Sequence, residues 1–124
     1  MTVQILLVDD EPNILLSLQF LMKRAGYQVI TATDGEQALS QVEALTPDLI
    51  LLDINMPKLN GYAVCERIRA NPAWQHIRIV LLTAKGREVE KEKGLALGAD
   101  AYITKPFSNQ ALIDKVQTLL STER

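Results

Sequence analysis

Residues 3–12 read VQILLVDDEP, an apolar run that ends at two aspartates and is followed by a proline. Three further apolar runs end in a similar way, at Asp53, at Thr83 and at Lys105-Pro106. Such runs of about four to eight apolar residues are typical of buried strands in a parallel sheet. Ligands of these sheets bind outside the carboxyl ends of the strands. The acids, hydroxyl and ammonium are therefore predicted to line one pocket suited to a divalent cation and a phosphoryl group.

Helical patterns separate the apolar runs and indicate a β-α unit repeated five times. Pro12 suits the first turn of helix one and Gly26 its end, whereas Asp34 and Asn60 can cap helices two and three. Helix two is expected to bury Ala38, Leu39, Val42 and Leu45. Helix four, over 86–97, is mostly charged and is expected to dock loosely. The predicted strands span 3–8, 28–32, 49–52, 77–82 and 101–104, and helix five follows Ser108.

The predicted fold class is α/β, with a single doubly wound five-stranded parallel sheet and five helices. Alternating strands and helices imply a sheet covered on both faces with right-handed crossovers. A flavodoxin-like strand order of 2-1-3-4-5 would bring strands one and three together. Asp9, Asp10 and Asp53 would then meet at the switch point of the sheet.

Composition excludes several functional classes. The 124 residues suffice for one domain with a core, and 48% of them are hydrophobic. Net charge is −2 and the basic residues are scattered, so we predict no direct nucleic-acid contact. No run approaches the roughly 18 apolar residues of a membrane span, and no basic leader precedes the first strand. The single Cys65 is compatible with a reducing compartment, so we expect a cytoplasmic protein without membrane association.

Six motifs occur in order at the predicted strand and helix ends. With them, the chain resembles the receiver domain of two-component response regulators over essentially all of residues 1–124, with no output domain expected in this chain. The motifs are Val-Asp-Asp-Glu at 8–11, Leu-Leu-Asp-Ile-Asn-Met-Pro at 51–57, Asn-Gly at 60–61, Leu-Thr-Ala at 82–84, Gly-Ala-Asp at 98–100 and Tyr-Ile-Thr-Lys-Pro-Phe at 102–107.

The resemblance implies that Asp53 is a phosphoacceptor, and a carboxylate can indeed act as such a nucleophile. The donor would be a phosphohistidine on a sensor histidine kinase or a phosphotransfer protein. By the same resemblance, Asp10, Asp53 and the backbone carbonyl of Asn55 bind Mg²⁺, and Asp9 acts mainly through water. Three clustered carboxylates repel one another, which a hard cation relieves. Lys105 would contact a phosphoryl oxygen, and its bond to Pro106 is expected to be cis.

Further roles follow from the same resemblance. Thr83 would hydrogen-bond the phosphoryl group, and Tyr102 would be a switch aromatic that moves inward with it. Asn55 and Lys85 lie at positions that tune dephosphorylation. The changing surface would comprise helix four, strand five and helix five, and it would control a downstream protein target or an output domain. Such a protein catalyses only its own phosphorylation and dephosphorylation, so it is not an enzyme in the usual sense.

The C-terminal half also resembles receivers that carry winged-helix DNA-binding domains and dimerise through the same surface. That subgroup usually has acids where this chain has Ala101 and Ala111. A phosphorylation-dependent homodimer is therefore an open expectation, and so is the choice between a stand-alone regulator and a receiver excised from a longer protein.

Three other interpretations remain at this point. A haloacid dehalogenase-type phosphatase would need a second aspartate two residues after Asp53, where this chain has Asn55. A flavodoxin-like cofactor binder would need a phosphate-binding loop after strand one, where Asp9, Asp10 and Glu11 would repel phosphate. The third is a receiver-like interaction module that is never phosphorylated.

Overall fold

The sheet has the predicted parallel order, β2-β1-β3-β4-β5. The computed structural model of the chain describes residues 2–56, 59–84 and 88–121, apart from the Glu88 side chain. The strands are β1 Gln4–Val8, β2 Gln28–Ala32, β3 Leu49–Asp53, β4 Arg78–Ala84 and β5 Ala101–Lys105. The helices are α1 Pro12–Arg24, α2 Gly35–Leu45, α3 Gly61–Ala70, α4 Glu88–Ala96 and α5 Asn109–Ser121, with a 3₁₀ turn at Pro72–Trp74.

Local signals account for the helix ends. The Asp34 carboxylate accepts a hydrogen bond from the Gln37 N–H at 2.8 Å, and the Asn60 side chain accepts one from the Ala63 N–H at 3.0 Å. These side chains satisfy amides that have no partner inside their own helix. Gly26 takes a φ of +98° directly after α1, a conformation that glycine adopts at little cost. All three predicted helix boundaries are confirmed.

Each face of the sheet carries its own core. On one face α1 and α5 cover inward side chains such as Leu51 and Val80, and on the other α2 and α3 cover Leu52 and Leu81. Because successive strand residues point to opposite faces, a strand covered on both sides must be apolar throughout. Every residue of β3 is buried, which explains its uninterrupted Leu-Ile-Leu-Leu run.

Several predicted boundaries were wrong by one or two residues. β1 begins at Gln4 rather than at residue 3, and β4 spans Arg78–Ala84 rather than 77–82. Asp53, Thr83 and Lys105 are thus residues of the strands and do not follow them, because ladder pairing extends to the edge of the sheet. Leu45 was predicted to be inward but is exposed, since α2 ends there and leaves the sheet surface.

Helix α4 buries little of its surface, and Gly94 is the one buried residue among its described residues. Its described extent, Glu88–Ala96, is shorter than the predicted 86–97, and the start of the prediction lies outside the described residues. Val89 is 78% exposed and Leu95 is also exposed. The α4 backbone comes close to β4 at Gly94, where an added Cβ would overlap the tip of Leu81. The predicted loose docking agrees with this sparse apolar contact.

Candidate functional site

The carboxyl ends of β1, β3, β4 and β5 bring together the residues predicted to form one pocket. Asp53 is the last residue of β3 and pairs in register with Leu82, next to Thr83. Thr83 in turn pairs with Thr104, which precedes Lys105 on β5. Asp9 follows β1 directly, and its N–H donates to the Ala32 carbonyl at 3.2 Å.

Three carboxylates cluster at this edge. Asp9, Asp10 and Asp53 each present a carboxylate oxygen, and these oxygens lie within 4.8 Å of one another. Asp9 is fully buried and Asp53 is 4% exposed, whereas Asp10 faces solvent. The Asp9 carboxylate is oriented by the Glu11 N–H, which donates to it at 2.9 Å. One exposed and two buried acids leave an opening to solvent beside Asp10.

Lys105 extends into the acid cluster from β5. Its Nζ donates to Asp9 Oδ2 at 3.0 Å and to Asp53 Oδ1 at 3.2 Å. The ammonium thus bridges two carboxylates that would otherwise repel each other across a region of low dielectric. Sequence reasoning brought Lys105 to this edge but did not predict that it would bridge Asp9 and Asp53.

The electrostatics of Asp53 reflect its burial. Loss of hydration raises the pKa of Asp53 to about 6, and the neighbouring Asp9 charge adds to the rise, although Lys105 opposes it. Burial would lower the pKa of Lys105, but its hydrogen bond to Asp9 and the charges of Asp53 and Asp9 outweigh this and raise it. At neutral pH the site therefore holds the Lys105 ammonium beside an Asp53 carboxylate that is ionised at a cost.

The donor set fits Mg²⁺. Carboxylate oxygens are the ligands that Mg²⁺ prefers, and the ion keeps several waters, which the exposed Asp10 side of the site can admit. Three carboxylates and one ammonium leave an excess of two negative charges, which a divalent cation balances. Asn55 is exposed, and its backbone N–H donates a hydrogen bond to the Asp53 carboxylate.

Thr83 has a buried hydroxyl that makes no hydrogen bond within the described chain. A buried polar group without a partner costs on the order of 1–3 kcal/mol, so such groups call for an explanation. The neighbouring residue Ala84 lines an open pocket of about 580 Å³ together with Asp53 and Lys105. An oxyanion attached to Asp53 would lie in this pocket and could accept a hydrogen bond from the Thr83 hydroxyl.

The remaining predicted residues surround this pocket at different depths. Tyr102 lies on β5 at the boundary of exposure, and the Nζ of Lys91 from α4 is 4.8 Å from the centre of its ring. Lys85 lies outside the described residues. The bond between Lys105 and Pro106 is cis, as the resemblance implied. Cys65 is a buried core residue, as expected of a lone thiol in an apolar setting.

Two features were missed at the sequence level. Arg69 and Asp100 form a partly buried ion pair at the opposite end of the sheet, with Arg69 Nη2 and Asp100 Oδ2 2.9 Å apart. Leu16 and Phe20 of α1 are 66% and 63% exposed, and they line a second surface pocket together with Asn109. Their spacing of four residues, outside the buried stripe of Leu15 and Leu18, was the available signal.

Comparison with known proteins identifies relatives over nearly the whole chain. Residues 5–117 match the model of the response regulator receiver domain. The alkaline phosphatase synthesis transcriptional regulatory protein PhoP of Bacillus subtilis is 48% identical over 120 residues, which are 97% of this chain and 49% of PhoP. The probable transcriptional regulator ycf27 of Cyanophora paradoxa is 44% identical, and the alignment covers 94% of this chain and 48% of the ycf27 chain. The chain therefore spans about half the length of these curated relatives.

Solved structures agree with the fold. A response regulator structure from Chloroflexus aurantiacus superimposes with a TM-score of 0.95 at 34% identity, covering 98% of this chain and all of the other. The chemotaxis response regulator CheY4 of Vibrio cholerae gives a TM-score of 0.90 at 30% identity, covering 96% and 99%. In the described part of the chain, no helix has the length and apolarity needed to cross a bilayer.

Proposed function

The chain belongs to the response regulator receiver domain family, and from this premise we propose that it is a signalling switch phosphorylated on Asp53. The observation that carries the proposal is the buried Asp53 carboxylate between Lys105 and the Thr83 strand end, beside an open cavity. Family membership argues against the phosphatase and flavin-binding alternatives. A receiver that is never phosphorylated is the alternative that experiment must exclude.

In the proposed reaction, a carboxylate oxygen of Asp53 attacks the phosphorus of a phosphohistidine. The new P–O bond forms as the P–N bond breaks, and the imidazole nitrogen that leaves takes up a proton. Transfer of this kind depends on positioning and on neutralising charge over the phosphoryl oxygens. The raised pKa of Asp53, about 6, still leaves most of the carboxylate ionised at neutral pH.

Lys105 is proposed to stabilise the transferred group. Its Nζ already contacts Asp53 Oδ1 at 3.2 Å, so a small rotation brings it to an oxygen of the attached phosphoryl group. The unpartnered Thr83 hydroxyl would donate to another of these oxygens. Asp9, Asp10, Asp53 and the Asn55 carbonyl would hold Mg²⁺, which when bound offsets negative charge on the phosphoryl oxygens.

The proposed output is a change in the surface formed by α4, β5 and α5. If Thr83 moves toward the phosphoryl group it vacates space behind β4, and Tyr102 at the rim of β5 can enter it. Inward movement would take the ring away from Lys91 on α4. A two-state element of this kind needs a small energy gap, which the sparse packing of α4 supplies.

The partners are proposed from chemistry and from the relatives. The donor is a sensor histidine kinase or a phosphotransfer protein, and the switch controls a protein target or an attached output segment. The curated relatives are named transcriptional regulators, so the receiver would act on transcription through such a segment. We propose that the receiver itself makes no DNA contact, because its net charge is −2. A cytoplasmic location and a phosphorylation-dependent homodimer stay predictions.

Intact mass spectrometry tests the proposal. The protein is incubated with acetyl phosphate and Mg²⁺, and the wild type is compared with Asp53→Asn. We expect the gain of one phosphoryl group in the wild type, its loss with a chelator, and no gain in the variant. A wild type that stays unmodified both here and with a panel of phosphorylated histidine kinases would contradict the proposal.

A further inference from the structure

Two glycines contact the loop that follows Asp53. Here the phosphoacceptor loop means Ile54–Met56 and Leu59–Asn60, the described residues between β3 and α3. Gly35 opens α2 and Gly61 opens α3, and both are buried. Glycine costs roughly 1 kcal/mol relative to alanine inside a helix, although less in the first turn, so a close contact is a physical reason for it at both helix starts.

Gly61 lies against the backbone of the phosphoacceptor itself. A Cβ built on Gly61 would be 2.6 Å from the Asp53 carbonyl oxygen and 2.8 Å from the Ile54 Cα. Its N–H donates to the Ile54 carbonyl at 3.0 Å, which closes the loop onto the end of β3. Backbone atoms cannot rotate away as a side-chain tip can, so any side chain at 61 must displace Asp53 or α3.

Gly35 lies in close contact with the other end of the loop, at Leu59. A Cβ at this position would overlap the Leu59 carbonyl oxygen and would be 2.7 Å from the Leu59 Cβ. Between the two contacts, Ile54 and Met56 are buried in the core under α2 and α3, while Asn55 faces the site. The helices thus hold both ends of the loop, and the core anchors its middle.

We infer that Gly35 and Gly61 are positioning residues for phosphorylation, because close approach of their helices sets the backbone of Asp53 and Asn55. The inference rests on the proposed function, since it concerns how the same site binds Mg²⁺ and accepts the phosphoryl group. Neither glycine touches the reacting atoms. Each acts through the loop backbone, which carries the Asn55 N–H bonded to the Asp53 carboxylate.

The variants Gly61→Ala and Gly35→Ala test the inference, with two glycine controls. Gly26→Ala strains a backbone with a φ of +98° but meets no atom within 4 Å, so it lowers stability without touching the loop. Gly94→Ala meets the flexible tip of Leu81, on α4 and β4. Mg²⁺ affinity is measured by calorimetry, and the phosphorylation rate with acetyl phosphate is measured across Mg²⁺ concentrations.

We expect Gly61→Ala to weaken Mg²⁺ binding at least tenfold and Gly35→Ala at least threefold. Higher Mg²⁺ should restore part of the phosphorylation rate in both variants. In the metal-free proteins, amide NMR shifts should change at residues 53–56. Both controls should keep wild-type affinity within twofold, even where a denaturant titration shows lost stability. A merely structural role would lower stability in all four variants and leave the affinity of the folded fraction unchanged.

If Gly61→Ala does not fold, amide hydrogen exchange of the wild-type protein tests the inference instead. The Gly61 and Ile54 amides should exchange within tenfold of the β3 amides, and exchange 100-fold faster would contradict a fixed loop. A wild type that binds no Mg²⁺ and takes no phosphoryl group contradicts the proposed function and the inference with it. Wild-type binding with unchanged affinity in Gly35→Ala and Gly61→Ala contradicts the inference alone.

Discussion

The phosphoacceptor loop and helix α4 both adjoin the Asp53 edge of the sheet, yet they are held in opposite ways. In the loop, Ile54 and Met56 are buried, and the first residues of α2 and α3 lie in close contact with its two ends. Helix α4 leaves Val89 almost fully exposed, and two of its contacts to its neighbours are Lys91 and Lys93 lying over the rings of Tyr102 and Tyr62. Apolar burial thus holds the loop in place, whereas weak contacts at the surface hold helix α4.

This difference bears on the proposal that one small domain both accepts a phosphoryl group and switches between two states. A nucleophile must be held within a fraction of an ångström, which the burial of Ile54 and Met56 on the same loop favours. A switch must have two states of similar energy, which sparse packing allows. The two ends of helix α4 differ, because Arg69 of α3 donates a hydrogen bond to the backbone just after the C-terminal end of α4. The predictions below test the two sides in order of expected effect.

The largest expected effect is at the anchored end of α4. Arg69 donates to the Gly98 carbonyl at 2.8 Å, to the Ile77 carbonyl at 2.7 Å and to Asp100. Each hydrogen bond made by a charged group contributes roughly 1.5–3 kcal/mol, and the partly buried Arg69 makes these three together. We expect Arg69→Met to lower the free energy of unfolding by about 3 kcal/mol in a urea titration, whereas the exposed Arg67→Met on the same helix changes it by less than about 0.5 kcal/mol. Equal effects would show that α4 is not anchored there.

The second prediction concerns the phosphorylation rate at the Asp53 site. Lys105→Met removes the ammonium from between Asp9 and Asp53 while keeping much of the side-chain volume. Because one of the two positive groups proposed to offset charge on the phosphoryl oxygens is then lost, we expect phosphorylation by acetyl phosphate to slow about 100-fold. The exposed Lys115→Met on α5 serves as the control and should keep the wild-type rate. A rate within threefold of wild type in Lys105→Met would contradict the role of the ammonium.

The third prediction is a pH dependence of stability. The folded pKa of Asp53 is about 6 against an ordinary 3.8, so the folded state binds this proton more tightly than the unfolded state does. Stability should therefore fall as pH rises from about 4 to 6 and then level off. In metal-free buffer, Asp53→Asn should be more stable than wild type by about 1–2 kcal/mol at pH 7.5, with the difference vanishing near pH 4. A constant difference across this range would contradict the shifted pKa.

The smallest expected effect is at the sparsely packed helix α4. The Lys91 ammonium lies 4.8 Å from the Tyr102 ring centre, and exposed contacts of this type contribute about 0.5 kcal/mol. A double-mutant cycle with Lys91→Met and Tyr102→Leu, measured by hydrogen exchange of α4 amides, should give a coupling of about that size. Exchange at residues 53–56 should stay unchanged in every variant. Increased exchange in the loop as well would show that the two regions are not independent.

Most of the fold could be predicted from short-range patterns. The alternation of apolar runs and amphipathic stretches indicated the β-α order, and Asp34 and Asn60 marked two helix starts. Strand ends were less accurate, because pairing carries β4 through Thr83 and Ala84. Leu45 was misassigned since its helix ends before reaching the sheet again. Such errors depend on where neighbouring elements stop, which no local pattern records.

The site could be predicted in its membership but not in its contacts. The position of Asp9, Asp53 and Lys105 at strand ends follows from the topology of a parallel sheet. The bridging of both acids by Lys105 depends on side-chain conformation and burial. The close contacts of Gly35 with Leu59 and of Gly61 with Asp53 depend on how near two helices come to one loop.

The amino-acid order alone specified the strand sequence, the helix caps and the chemical types present at the sheet edge, because each depends on residues close together along the chain. Tertiary structure alone decided which of those groups are paired, buried or left without a partner. Within the described chain the Thr83 hydroxyl has no partner, and Asp53 has a raised pKa because burial removes it from water. Hydration is a property of the packed molecule, and the reactivity proposed for this site would follow from it.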